Sequence, residues 1–393
     1  MQIVGNYLLR ILIGGTEVPV SPQMIGQINI AQDIDRLLPT FKMVLKDATG
    51  LLGEIIPFDK KSNEITIAIA RSDTPENINT FDFVVKKRSP TWEKVYDVEG
   101  VLNVKDLLTG PKIRSLTGSI KTNIETIAKE ELELELKKTD IGVSLDYSKV
   151  LIQPNWSNAR LFEYLKENII GKAGEGNYYC FVKNLIGSPI LVFKSIQELF
   201  LSSVSYKLIV GHKGYEDFYP IADYRLIDNS SFVSDFGSSK QQYSYFDYEN
   251  GTYESSEVEL DDYPSLCKTH LVDSDKETQV ITFNKLGRNN AFTSDFKGKI
   301  QNNFYDRVTE FIHMWATTWG LENICPGDMV LVLFSESLIG GNLFTYQHSG
   351  LWMVKRVVHL IGSTFMTNLL LVRNGINTEL ETTLKEAANR GAK

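Results

Sequence analysis

Residues Glu64–Arg71 read EITIAIAR, and this stretch decides the fold class. Ile65, Ile67 and Ile69 alternate with smaller residues, so the three isoleucines share one face of an extended chain. Strict alternation of this kind is typical of a β-strand that buries one face against a core. We therefore expect β-structure to dominate the protein.

The sequence around this stretch continues the same pattern. Residues 81 to 86 and 95 to 104 are predicted to be strands, and a β-bulge is expected at Gly100. Turns are predicted at Ser89-Pro90 and Gly110-Pro111. Short strands at this spacing are typical of a sandwich or barrel, so the N-terminal region is predicted to be all-β.

The hydrophobic period becomes that of a helix after Pro111. One helix is predicted from its N-cap Ser119 to about residue 138, with an apolar side formed by Ile120, Ile124, Ile127 and Ala128. A second helix is predicted to begin after the N-cap Ser157 and to end at Gly171. Strands are predicted again at residues 178 to 182 and 190 to 193, so this region has α+β character.

An acidic, tyrosine-rich segment follows further strands that begin at Val204. Residues 241 to 267 hold seven carboxylates, five tyrosines and no lysine or arginine. Asn250-Gly251 predicts a hairpin turn between two alternating arms. Two interpretations stay open for this hairpin: a solvated acidic surface, or a tyrosine-rich surface that faces a partner.

The last third of the chain is predicted to return to strands after one more helix. The helix is predicted over residues 300 to 311, and the strands that follow it are 312 to 319, 329 to 334, 351 to 360 and 367 to 373. A turn is predicted at residues 325 to 328. The polar residues after Gly375 have helical propensity and are expected to fray or to dock on a partner. No tandem repeat is visible at a period of 20 to 50 residues.

Composition excludes several classes of protein. The 393 residues include 41 lysines and arginines and 49 acidic residues, which gives a net charge of −8. Without a basic cluster, a sequence-specific DNA reader is excluded. The three cysteines have no metal-binding spacing and suit a reducing compartment. The N-terminus lacks the features of a signal peptide, and no apolar window is long enough to span a membrane, so we expect a folded protein made in a cytoplasm.

Each apparent catalytic motif has a simpler structural explanation. The glycines at 171, 174 and 176 follow a helix, whereas a dinucleotide-binding turn follows a strand. Residues 237 to 241 lack the final glycine of a nucleophile elbow, and residues 273 to 284 match only the start of an EF-hand loop. The five histidines form no metal-binding pattern. We predict no catalytic residue, no metal ligand and no cofactor.

Three C-terminal stretches carry a resemblance to a known family. They are CPGDMVLVLF (325–334), GLWMVKRVVH (350–359) and TNLLLVRN (367–374). They resemble the closing barrel strands of contractile-phage tail hubs, and the order and spacing of the upstream elements extend the likeness to residues 1 to about 376. As a whole, the chain resembles the baseplate hub proteins of T-even phages, which have nearly the same length.

This resemblance implies a mainly β fold with α+β insertions. Two tube-like β-barrel domains are expected, together with smaller α+β domains. The implied units are an N-terminal barrel (1–111), an α+β domain (112–200), a discontinuous second barrel (201–240 with 312–375), an insertion that carries the acidic hairpin (241–311) and a C-terminal tail (376–393).

The resemblance also implies a structural role without catalysis. Three chains with two barrels each would form a homotrimeric ring of pseudo-sixfold symmetry. Such a hub would adapt a hexameric tail tube protein to a trimeric central spike protein and contact neighbouring baseplate proteins. DNA would pass through its channel without sequence-specific binding, which an acidic lumen would assist. The implied location is the tail baseplate of the virion, assembled in the cytoplasm of the bacterial host and without stable membrane insertion.

Three other functions stay open. One is a hub component of a related contractile injection or type VI secretion machine. Another is a carbohydrate-binding or glycan-hydrolysing β-protein, which would use the acidic, tyrosine-rich stretch. The third is a chaperone or other cytoplasmic adapter of unknown partner.

Subunit contacts are expected at strand edges and at aromatic side chains, because strand pairing can close a ring and aromatic residues often anchor interfaces. The strands favoured for such contacts are 64 to 71, 81 to 86, 329 to 334 and 351 to 359. For the two tryptophans among the candidates, packing in the core is the alternative. The candidate interface residues are Ile65, Ile67, Ile69, Phe81, Phe83, Trp319 and Trp352.

Overall fold

Strands make up most of the computed structural model, which confirms the predicted mainly β fold class. The structure describes residues 2–4, 6–18, 24–47, 63–92, 95–108, 110–134, 139–172, 175–211, 217–228, 240–247, 252–259, 269–270, 279–284, 312–334 and 347–376. Within these residues no helix has the length and apolar composition needed to cross a membrane.

The N-terminal region forms one sheet whose apolar side chains meet in a single core. Its strands are β1 (Gln2–Val4), β2 (Tyr7–Ile13), β3 (Thr16–Val18), β4 (Ile25–Asp33), β5 (Thr40–Lys46), β6 (Glu64–Arg71), β7 (Asn79–Trp92) and β8 (Val95–Leu102). They lie in the order β1-β2-β6-β7-β8-β5-β4, and β3 also pairs with β2. The three isoleucines of β6 are buried as the alternation predicts.

Two local expectations for this sheet need correction. The irregularity expected at Gly100 lies on the opposite strand, where the register shifts between Val85 and Lys87. Gly100 is required for another reason, because a Cβ atom there would lie 2.3 Å from the Val84 carbonyl oxygen. The predicted turn at Ser89-Pro90 is wrong: β7 continues through both residues. Pro90 lies beside a second register shift, and irregular strand positions tolerate a residue without an N–H.

The middle of the chain is the α+β region. Its elements are β9 (Lys112–Leu116), α1 (Ile120–Glu130), β10 (Thr139–Ile141), a 3₁₀ turn (Val143–Leu145), β11 (Leu151–Trp156), α2 (Asn158–Asn168), β12 (Tyr178–Leu185), β13 (Ser188–Ser195) and α3 (Ile196–Phe200). Ser119 and Ser157 are the N-caps of α1 and α2, as predicted.

Helix α1 ends at Glu130, eight residues before the predicted boundary. The amide of Leu132 bonds to the Ile127 carbonyl, and Glu133 adopts a positive φ of 54°. Leu132 and Leu134 are both buried, because this turn directs the alternating leucines into the core. The alternating leucines 132 and 134 therefore mark the end of the helix.

The remaining strands are β14 (Val204–Val210), β15 (Tyr219–Asp228), β16 (Lys240–Asp247), β17 (Thr252–Glu259), β18 (Thr269–His270), β19 (Gln279–Asn284), β20 (Ile312–Trp319), β21 (Met329–Phe334), β22 (Gly350–Ile361), β23 (Phe365–Arg373) and β24 (Gly375–Ile376). Six of them close a barrel in the order β14-β21-β22-β23-β20-β15, in which β15 pairs again with β14. Apolar side chains fill the barrel, with Trp352 among the largest that are fully buried.

The two arms of the acidic hairpin pair as predicted. Strands β16 and β17 are antiparallel with Asp247 opposite Thr252, and β19 joins the other side of β16. The Asn250-Gly251 turn, the EF-hand-like residues 273 to 278 and the predicted helix at 300 to 311 lie outside the described residues.

The two large β regions share one strand order, although no sequence repeat is visible. The N-terminal order β2-β6-β7-β8-β5-β4 corresponds to β14-β21-β22-β23-β20-β15 when strands are matched in chain order. Neighbouring strands run antiparallel in both regions except at β14, which is parallel to both of its neighbours. The chain therefore contains the same β topology twice.

Candidate assembly surfaces

The two β regions are joined by direct strand pairing. Residues 356 to 361 of β22 pair with residues 28 to 33 of β4 in an antiparallel ladder. The Arg356 guanidinium lies 2.5 Å from the buried Asp33 carboxylate, and the Lys355 ammonium lies 2.9 Å from Asp35. Both regions thus belong to one continuous sheet, with two ion pairs at one end of the joint.

The tip of the β22–β23 hairpin lies between the two ends of the N-terminal sheet. The Tyr7 hydroxyl at the start of β2 donates a hydrogen bond to the Gly362 carbonyl. The Phe365 amide donates to the Asn6 side-chain oxygen over 3.0 Å. Gly320 packs against Phe365 so closely that a Cβ atom would fall 1.9 Å from the ring. The tip of this hairpin therefore bridges the two ends of the N-terminal sheet.

A buried polar network fixes the α+β region to both β regions. The Asn184 amide nitrogen Nδ2 donates to Asn79 Oδ1 over 2.9 Å, and the Asn184 backbone amide donates to Gln32. Asn79 Oδ1 also accepts from the Gly187 amide, while Asn79 Nδ2 donates to the Glu322 carbonyl over 2.6 Å. The Asn79 side chain thereby links its own strand to two other parts of the chain, the β12–β13 hairpin and the segment at Glu322.

The turn predicted at residues 325 to 328 is present beside this network. The Asp328 carboxylate accepts from the Cys325 amide over 3.0 Å, and Gly327 has a positive φ of 82°. Lys183 of the α+β region lies 3.4 Å from Asp328 and forms a mostly buried ion pair. This pair is a second link between the α+β region and the barrel.

His359 is buried in the joint between the two β regions. Its Nδ1 lies 3.3 Å from the Thr367 hydroxyl, and the rings of Phe81 and Phe365 pack around it. Loss of solvation lowers the pKa of His359 to about 4, because the charged imidazolium is disfavoured in this apolar setting. His359 is therefore neutral at pH 7.

Acid is expected to weaken the fold through His359. Its pKa is about 6.5 in the unfolded chain and about 4 in the folded one, so stability is complete above pH 6.5 and falls as the pH drops towards 4. At about 1.4 kcal/mol per pKa unit, the loss is about 3 kcal/mol. Urea unfolding at pH 7 and pH 4.5 should show most of this loss in the parent chain and a smaller one in His359→Leu. Equal losses in both chains would contradict this assignment.

Six of the seven side chains proposed as interface contacts are buried within one chain. They are Ile65, Ile67, Ile69, Phe81, Phe83 and Trp352. Their apolar surface is already removed from water by the chain's own strands, so contact with another subunit is not needed to explain them. Trp319, at 49% exposure, is the one member of the set that presents its side chain to solvent.

The exposed side of β20 adds a residue that the sequence alone did not single out. Inward residues of this strand are buried, while Trp315 and Trp319 are exposed on the outer face of the barrel. Trp315 lies opposite Arg225 on one neighbouring strand and Leu370 on the other. The alternating sequence of β20 could have identified Trp315, because it places both tryptophans on the same face of the strand.

The candidate chemical groups do not come together into a reactive centre in the described part of the chain. No group of three histidine, cysteine or carboxylate side chains there could hold a metal ion. Burial raises the pKa of both the Cys180 and the Cys325 thiol, so neither is a thiolate at neutral pH. His348 is buried and contacts Asp228 over 2.9 Å. Residues 237 to 239 of the elbow-like motif lie outside the described residues.

Comparison with solved structures relates the whole architecture to tail proteins. A 43 kDa tail protein of prophage MuSo2 from Shewanella oneidensis superposes with a TM-score of 0.58 and 11% identity, covering 94% of this chain and 98% of that chain. A tail protein from Neisseria meningitidis MC58 gives a TM-score of 0.55, 11% identity and the same coverage. No protein-family model matches the sequence, and no curated protein matches it.

A third structure comes from a secretion machine. It is a component of the type VI secretion system of E. coli, described as structurally similar to tail proteins of bacteriophage T4. The TM-score is 0.52 at 8% identity, and the match covers 94% of this chain and 79% of that chain. At these identities the likeness is one of fold: this chain has the fold of phage tail proteins and of their secretion-system counterparts.

Proposed function

We propose that this protein is the structural hub of a contractile phage tail baseplate. In this role it is a homotrimer, and the two β regions of each of its three chains form the six wall elements of a pseudo-sixfold ring. The ring adapts a hexameric tail tube to a trimeric central spike, contacts neighbouring baseplate proteins and encloses the DNA channel. The work is done by shape and by interfaces, and no catalytic step is involved.

One observation carries this proposal: a single chain repeats the same strand order and joins the two copies edge to edge. A trimer of such chains presents six similar elements to a sixfold partner and three identical chains to a threefold partner. A symmetry mismatch is thereby resolved within each chain. The fold shared with tail proteins from two bacterial genomes supports the same role.

The second candidate is the equivalent hub of a type VI secretion machine. The solved secretion-system component with the same fold is the observation that favours it. Both candidates require a ring around a channel, so they differ in the partner and not in the architecture.

Electron microscopy of negatively stained particles tests the ring directly. End-on class averages should show a central hole and a strong sixfold component, because the two β regions alternate around the axis. Particles without a hole, or averages without rotational symmetry, would contradict both hub candidates.

A further inference from the structure

The joint inside one chain has a counterpart on the same chain, an edge of β7 that carries no partner strand among the described pairings. Strand β22 pairs with β21 through residues 350 to 353, and residues 356 to 361 on the same side then pair with β4. In the matching N-terminal strand, β7 pairs with β6 through residues 79 to 84. Among the described pairings, no strand lies on that side of β7 beyond residue 84.

A bulge marks corresponding positions in the two strands. The register of β7 against β8 shifts between Val85 and Lys87, and the register of β22 against β23 shifts between Val354 and Arg356. The sequences at these shifts are similar, Val-Lys-Lys at 85 to 87 and Val-Lys-Arg at 354 to 356. Residues 87 to 92 of β7 are therefore equivalent to residues 356 to 361, the segment of β22 that forms the joint.

The strand that corresponds to β4 has a matching edge. Strand β15 pairs with β20 along residues 221 to 228, whereas β14 covers its other side only at residues 219 to 221. The equivalent residues can be found by following the paired residues from the bulge through each neighbouring strand. This places Leu226 of β15 at the position that Ile30 has in β4. Asp223, Tyr224 and Arg225 are exposed, as expected for a strand with an open edge.

We propose that residues 88 to 92 of β7 pair with residues 224 to 228 of β15 in the next copy of this chain. This inference rests on the proposed trimer and names its subunit contact. The register of the internal joint, transferred to these strands, places Ser89 opposite Ile227 of the next copy and Arg88 opposite Asp228 of the next copy. Three internal joints and three such contacts close the ring head to tail.

Charge supports this choice of partner. The internal joint brings Lys355 and Arg356 against Asp33 and Asp35. The β7 edge carries Lys86, Lys87 and Arg88, and β15 ends in Asp228. The transferred register places this basic end of β7 beside Asp228 of the next copy, which favours this register over a slipped one.

A pair of introduced cysteines tests the contact. Residues directly opposite in an antiparallel pair have Cα atoms about 4.5–5.5 Å apart, within the range that a disulfide requires. Ser89→Cys/Ile227→Cys should give covalent dimers and trimers on a non-reducing gel, reversed by reductant. The matched control is Ser89→Cys/Asp223→Cys, whose second position is exposed but four residues along the strand, about 13 Å away. The control should stay largely uncrosslinked, as should the parent chain.

The outcome separates the contact from the trimer. The mass of each variant is measured by light scattering in reductant before oxidation. A trimer in which the Ser89/Ile227 pair does not crosslink, or crosslinks no better than the control, overturns the strand pairing and leaves the hub proposal standing. A monomer that does not crosslink overturns both.

Discussion

Replacing Asn79 with leucine is expected to lower the free energy of unfolding by about 4 kcal/mol. The Asn79 side chain is buried and serves the Gly187 amide, the Asn184 side chain and the Glu322 carbonyl. Leucine has a similar volume but removes these hydrogen bonds, and a buried polar group left unsatisfied costs about 1–3 kcal/mol. The measurement is urea unfolding at a fixed protein concentration.

Asn77→Leu is the control for this substitution. Asn77 lies two residues before Asn79 and is half-buried. It is not among the residues of the buried network described above. We expect its effect to stay within about 0.5 kcal/mol, as for most surface positions. Equal effects of the two substitutions would show that the network does not hold the three regions together.

Truncation of two tryptophans of the second barrel should cost very different amounts of folding stability. Trp352 fills the barrel, donates to the His348 carbonyl over 3.1 Å and stacks under the Arg373 guanidinium. Trp352→Ala is therefore expected to cost about 4 kcal/mol of folding stability. Trp319 is 49% exposed, and Trp319→Ala should cost less than about 1 kcal/mol.

The same two variants distinguish stability from assembly. In the proposed ring, Trp319 contributes to a contact between subunits. Trp319→Ala should therefore shift the trimer towards monomer on dilution while the monomer stays folded. A Trp319→Ala chain that assembles like the parent would remove this residue from the interface.

Local physics made much of the fold readable from sequence. The alternation in EITIAIAR predicts the strand with its buried face, and Ser119 and Ser157 mark two helix starts because their side chains accept from exposed backbone amides. Two predictions based on proline and on alternating leucines were wrong, because tertiary contacts determine the local structure there. Ser89-Pro90 continues a strand, and Leu132 and Leu134 belong to a helix end.

The assembly surface was harder to predict, for a physical reason. Alternation shows that one face of β6 is buried, but it cannot show whether the chain itself or a partner covers that face. The polar network joins Gln32, Asn79 and Asn184, which are far apart in sequence and have no local signature. The duplicated topology could not be read from the sequence either. The two β regions keep the same strand order, but their sequences remain similar only in a three-residue motif at the bulge.

The mass of the purified protein in solution tests the hub proposal most directly. One chain has a mass of 44.5 kDa, so a trimer has three times this value, about 134 kDa. Light scattering across a concentration series should give the trimer mass over the upper part of the range. A mass of 44.5 kDa at every concentration would contradict the trimeric hub and would favour the carbohydrate-binding alternative.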